Sequence, residues 1–170
     1  MKISLNWARH WSKMPAYTTE SLEQFAHTYS TYTAEVEGVD SYIFDKKIVV
    51  GKVLSWNPHP DSDKLGLVQI DAGKNGKHEI VCGASNAKTS EYIAVALEDA
   101  QLPGGLVISR RAIRGVDSCG MICSLDELGL QADRADGIFP LETVWDLSIL
   151  EKHLGKPFGD LVLSFPGHDG

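Results

Sequence analysis

The stretch KIVVGKVLSWNPHPDSDKLGLVQID (47–71) carries the reading on which the fold turns. Two runs rich in β-branched and other apolar residues, KIVVGKVLSW (47–56) and LGLVQID (65–71), flank NPHPDSD (57–63), where prolines and aspartates make a turn. Working outward, three more runs have the same texture: KHEIVC (77–82), YIAVAL (92–97) and LVISRRAI (106–113). Turn chemistry at AGKNGK (72–77), GASN (83–86) and LPGG (102–105) separates them. Five short strands in about 70 residues must each hide one face, and closure removes exposed edges, so a closed or nearly closed five-stranded barrel of the OB type is expected over 47–113. Gly51, inside the first run, suits a bulge or a sharp coil that helps such a barrel close.

Helical signals flank this β-rich middle, giving an α+β chain that is mostly β with helices on either side. In TESLEQFAHTY (19–29), Leu22, Phe25, Ala26 and Tyr29 share one helical face. Upstream, Ser4 can cap a short helix carrying Trp7 and Trp11 that ends at Pro15. Downstream, Ser124 and Glu127 have capping-box spacing before Gly129, and DLSILEKHLG (146–155) places Leu147, Leu150 and Leu154 on one face. A last apolar run, DLVLSF (160–165), precedes Pro166.

With 170 residues, 43% of them hydrophobic, the chain can bury one core or one core and a satellite. MKISLNWARHW lacks the apolar core of a secretory signal, and no run is long enough to span a membrane, so a cytoplasmic location is expected. Cys82, Cys119 and Cys123 are expected as reduced thiols without a zinc ion, because the CxxxC spacing has no second close pair. The net charge of −7 excludes a wholly basic nucleic-acid binder. Its distribution is uneven: residues 46–125 hold ten lysines and arginines against eight acids, a net of +2, which leaves −9 for the remainder. A phosphate-binding surface therefore belongs to the middle segment, where a solvated lysine-rich face is the simpler alternative.

The loop RGVDSCGMICS (114–124) is rich in glycines and small hydroxyl or thiol side chains and contains no run long enough to read as a strand. Nothing places a general base beside Ser118, so nucleophilic catalysis is not expected there. The chain also lacks a P-loop and a GxGxxG motif. Strand alternation predicts that Arg110 and Arg111 point to opposite faces. Arg114 then leads into a loop whose Ser118 hydroxyl, backbone amides and Gly120 permit a phosphate or sugar to approach, with Met121 and Ile122 as anchors. In the first turn, His59 and Asp63 read as turn-fixing residues, and Lys64 reads either as a solvated side chain or as a phosphate contact. Asn86 can satisfy loop amides or face a ligand.

Five ordered pieces make the pattern specific: HPDSDKL (59–65), IVCGASN (80–86), LPGG (102–105), RGVDSCGMICSLDELGL (114–130) and DGIFPL (136–141). Together they resemble the OB-fold tRNA-binding domain of synthetase-associated proteins. With MKISLNW (1–7) and AEVEGV (34–39) added, nearly the whole chain is similar to the N-terminal part of the bacterial phenylalanyl-tRNA synthetase β-subunit family. Ser62 and Ser85 stand where that pattern commonly has alanine and proline, and its later Asn-Arg-x-Asp motif does not occur before Gly170.

The resemblance implies a first part of a small, incomplete α/β N-terminal domain at 1–40, an OB-type tRNA-binding domain at 45–145 inserted into it, and a truncated return segment at 146–170. It implies tRNA contact through Lys64, Asn86, Lys88, Arg110, Arg114, Ser118, Met121 and Ser124. It further implies a non-catalytic part of a phenylalanine-tRNA ligase, partnered by an α subunit in an (αβ)2 tetramer with no membrane. No cofactor is implied in this fragment; the full enzyme uses ATP and Mg2+. Two other classes stay open at the level of sequence: a free-standing tRNA-binding protein or synthetase appendix, and a structural inter-subunit domain that touches little RNA.

Overall fold

The computed structural model describes Leu5, Lys13 and residues 19–33, 35–37, 44–130 and 137–163. Trp7 and Trp11, with the short helix expected there, lie outside the described residues. The chain divides into two compact units, residues 1–42 and 43–170. In the first, helix α1 (Thr19–Tyr32) runs three residues beyond the expected end, and Leu22, Phe25, Ala26 and Tyr29 are its half-buried stripe. The Phe25 and Tyr29 rings, one turn apart, have centroids 5.8 Å from each other.

The second unit is built on strands β1 (Ile48–His59), β2 (Ser62–Asp71), β3 (Lys77–Cys82), β4 (Tyr92–Ala96), β5 (Arg111–Ile113), β6 (Val116–Ser118) and β7 (Met121–Ile122). Helices α2 (Leu147–His153) and α3 (Phe158–Leu163) follow. Five strands pair antiparallel in the order β3-β2-β1-β4-β7, while β5 and β6 form a separate hairpin. The expected fifth strand over 106–113 is therefore corrected. Its first half is a loop, Arg111–Ile113 pairs only with β6, and the fifth place in the sheet goes to Met121–Ile122 from the glycine-rich stretch.

The expected closed barrel is corrected as well, since no ladder joins edge strands β3 and β7 among the described residues. Two hydrogen bonds bridge the gap instead. The Cys119 amide donates to the Glu79 carbonyl at 3.1 Å, and the Val81 amide donates to Ser118 Oγ at 3.1 Å. The physical reason is Gly120, whose φ of 147° bends the chain between β6 and β7, and whose absent Cβ would lie 2.7 Å from the Ala96 carbonyl. A hydroxyl thus takes the place of a backbone partner where the ladder is broken.

The first four residues of β1 and all of β4 are buried on both faces, which explains why IVV and YIAVA are continuous apolar runs rather than alternating ones. Val49, Val68, Ile70, Ile80, Ile93, Val95 and Ile122 fill one core, the inner one, and the core on the other face is the outer one. Ile48, Val50, Tyr92, Ala94 and Ala96 face the other, where Leu141, Leu150, Phe158 and Leu161 cover them. Backbone bonds join this cover to the sheet: the Val50 amide donates to the Lys156 carbonyl at 3.0 Å, and the Gly155 amide to the Val50 carbonyl at 2.8 Å.

The bulge expected at Gly51 lies elsewhere. Gly51 keeps regular register with Ile93, and the β1–β2 register shifts between Val53 and Ser55. Gly51 is needed for space, because a Cβ there would sit 2.7 Å from Val95 Cγ2 and 2.8 Å from Ile70 Cγ2. The extra residue, Leu54, reverses the parity of the strand, so Trp56 joins Val53 on the face of the first core.

Candidate nucleic-acid interface

The β1–β2 turn and the β5–β6 hairpin are fastened to each other. His59, buried at 4% exposure, donates from Nε2 to the Ile113 carbonyl at 3.1 Å, and its Nδ1 accepts the Asp61 amide at 3.1 Å. Arg114 Nη1 donates to the Asp61 carbonyl at 3.1 Å, leaving the rest of an exposed guanidinium at the surface. Arg114 and Gly115 have φ of 47° and 82°, the pair of positive values a two-residue type I′ hairpin loop requires.

Two depressions of about 300 Å3 each lie on either side of the segment Cys82-Gly83-Ala84. The first is walled by Trp56, Gly66, Asp63, Lys64 and Lys88, with the Lys88 ammonium 4.1 Å from the centroid of the Trp56 ring. The second is walled by Arg111, Met121, Ser124, Glu127 and Ile138. Lys64, Lys88 and Arg111 are all exposed. Aromatic, cationic and glycine-lined surface thus borders one short length of backbone, a combination suited to a nucleic-acid strand.

The other residues marked from the sequence have different surroundings. Arg110 is exposed and pairs with Asp117 at 2.7 Å, a hydrogen bond that raises its already high pKa. Because 106–110 is not strand, the alternation expected for Arg110 and Arg111 does not apply; both are exposed. Asn86 is a clamp: its Nδ2 donates to the Ile138 carbonyl at 2.8 Å and its Oδ1 accepts the Ile138 amide at 3.1 Å. Gly137 is required beside it, since a Cβ there would overlap the carboxamide. Ser118 is 2% exposed, and its hydroxyl donates to the Gly120 carbonyl at 3.2 Å while accepting from Val81. Ser124 and Glu127 form the expected capping box, with the Ser124 amide on Glu127 Oε2 at 2.6 Å and the Glu127 amide on Ser124 Oγ at 3.2 Å.

Burial pushes the Cys123 thiol up to about 12 and raises that of Cys82, which leaves both as thiols rather than nucleophilic thiolates. Among the described residues no three His, Cys, Asp or Glu side chains converge on a point where a metal could sit. None of the described helices is long and apolar enough to cross a membrane.

Residues 48–144 match the protein family described as "Putative tRNA binding domain". The chain belongs to this tRNA-binding domain family. It is 40% identical over 169 residues to the phenylalanine-tRNA ligase beta subunit of Chlorobium chlorochromatii, covering 96% of this chain and 20% of that protein. Against the beta subunit of Helicobacter hepaticus the identity is 44% over 146 residues, covering 84% of this chain and 18% of that protein. The tRNA-binding-domain chain therefore spans about a fifth of the length of these relatives. Among solved structures, the C-terminal domain of Plasmodium vivax p43 aligns with 57% of this chain and 53% of its own at 22% identity and a TM-score of 0.39.

Two residues at the depressions, Trp56 and Arg111, are not among those marked from the sequence. Trp56 is hidden by the bulge at Leu54, because alternation counted from Val49 and Gly51 puts Ser55 on that face. Arg111 was set opposite Arg110 by a strand over 106–113 that in the structure begins only at Arg111.

Proposed function

We propose that this tRNA-binding domain is a non-catalytic, tRNA-contacting part of a phenylalanine-tRNA ligase beta subunit. Attachment of phenylalanine to its tRNA, with ATP and Mg2+, then takes place elsewhere in an enzyme that includes an α subunit in an (αβ)2 tetramer. The observation that carries the reading is the grouping of Lys64, Lys88 and Arg111 around Cys82-Gly83-Ala84 within the family-matched segment. Similarity that extends across 96% of the chain, beyond the matched domain, favours a subunit over a free-standing binder. We read the five-stranded sheet, bridged between its edges by Ser118 and Cys119, as an OB-like unit, inserted along the chain between two parts, 1–40 and 146–170, of a small domain. A cytoplasmic site of action follows from this reading.

The residues divide by role. Lys64, Lys88, Arg111 and Arg114 supply charge to phosphates, with Met121 and Ser124 at the wall of the second depression. Asn86 and Ser118 act by holding the loops in place, and Arg110 is partly neutralised by Asp117. Such contacts are sequence-independent and release counterions. With three to five of them, tRNA affinity should fall roughly tenfold to several-hundredfold between about 50 and 200 mM salt. Lys64→Ala with Arg111→Ala should flatten the slope of log affinity against log salt by about two contacts, as read by fluorescence anisotropy of labelled tRNA. No binding at low salt, or a slope unchanged by the pair, would favour a structural inter-subunit domain instead.

A further inference from the structure

The first depression has more than charge. Trp56 lies on the face of β1 that packs on the inner core, yet its ring borders the opening beside Gly83. Diagonally across the β1–β2 pair, two residues from its partner Val68, Gly66 has no Cβ, and one placed there would overlap the indole, so the ring rests directly on the β2 backbone. The indole Nε1 is buried and has no hydrogen-bond partner. Sealing a donor in this way is costly, and a hydrogen bond is therefore not what holds the ring in its orientation. What the orientation does provide is a ring face at the depression, over which Lys88 places its ammonium at 4.1 Å. The opening, about 300 Å3, is at the small end of the roughly 300–1,000 Å3 range of ligand pockets.

We infer that this depression is a stacking subsite for one unpaired nucleotide of an RNA strand. The base lies on the Trp56 indole. Lys88, at the end of the short 3-10 turn Ser85–Lys88, turns its flexible stem from the ring to the phosphate, which Lys64 at the rim also meets. Gly83 lets the strand's backbone pass close to the protein toward Arg111 and the second depression. A base in a duplex keeps its faces on its neighbours, so the subsite selects single-stranded RNA without reading its sequence. This inference rests on the tRNA-binding reading and adds a preference that phosphate contacts alone do not produce.

The test compares a short oligoadenylate with a blunt RNA duplex of equal length, both titrated against the 170-residue chain at one fixed low salt concentration. The wild type should bind the oligoadenylate more tightly and with quenching of indole fluorescence. Trp56→Leu, which keeps apolar volume but has no ring face, should weaken oligoadenylate binding roughly five- to 150-fold and abolish the preference and its quenching. Trp56→Phe should retain most of the preference. Trp56→Leu binding like the wild type, Leu and Phe weakening equally, or a duplex bound as well as the single strand would each overturn the subsite. If tRNA still binds with the full salt slope in any of those cases, the subsite alone has failed. A wild type that binds no RNA at low salt overturns the tRNA-binding reading with it.

Discussion

His59 uses both ring nitrogens inside the fold, one on the Ile113 carbonyl and one on the Asp61 amide. Its removal leaves two backbone groups without partners where water is largely excluded. His59→Ala should therefore cost about 1–3 kcal/mol of stability, seen as a lower urea midpoint at unchanged slope. A variant as stable as the wild type would show that water replaces both bonds. The local half of this role, the bond to Asp61, was legible in the sequence, because a histidine between two prolines in a turn has few ways to act other than on nearby backbone; the bond to Ile113, 54 residues away, was not. Asn86 was half legible: a carboxamide at the end of a strand has loop amides to satisfy, but its partner, Ile138, is 52 residues away, and no local pattern points to it. Ser118 was read as ligand-facing because glycines surround it. Which way a small hydroxyl points depends on a gap between strand edges, a property of the sheet and not of its neighbours in sequence.

At the scale of elements, four of the strands read from composition and turns are present, while the fifth is misplaced. LVISRRAI has the right residue types, but Leu106 and Val107 are each 55% exposed and only Ile108 is buried. The Asp99 amide donates to the Ile108 carbonyl and the Ile108 amide to the Ala100 carbonyl across LPGG, which makes a compact loop out of a strand-like run. The true strands, β6 and β7, are three and two residues long, too short to have a period. The β5–β6 turn breaks a local rule, because an arginine occupies the first left-handed position where asparagine is favoured. Arg114→Asn creates the preferred Asn-Gly pair and loses an exposed bond to Asp61. Hairpin stability should be unchanged or rise by up to about 1 kcal/mol, while tRNA affinity falls as one phosphate contact is lost. A thermal melt and an anisotropy titration on the same variant check both halves. Lower stability with unaltered affinity would make the arginine a structural tie and nothing more.

For the whole second unit, the decisive feature is a sheet with two covered faces. The family match ends at residue 144, yet the outer core does not. Leu150, Phe158 and Leu161 are fully buried and pack with Ile48, Val50, Tyr92, Ala94 and Ala96. The rings of Trp145 and Phe158 meet edge to face with centroids 6.4 Å apart. Fully burying one such large side chain is worth about 1.5–3 kcal/mol, so the three together contribute roughly 5–9 kcal/mol. Whole domains are stable by only about 5–15 kcal/mol. A chain ended at residue 144 should therefore lose its cooperative thermal transition, or nearly so, and should bind a hydrophobic dye through the uncovered face of β1 and β4. One ended at residue 163 should melt like the full chain, because it keeps both helices and the bonds from Val50 to Gly155 and Lys156. Hydrogen exchange sharpens the comparison. Amides of β1 and β4 should lose protection in the shorter form before those of β2 and β3, which do not depend on that cover. Equal melting temperatures for the two truncations would mean that the inner core alone holds the sheet, and that residues 145–163 are an appendage to it.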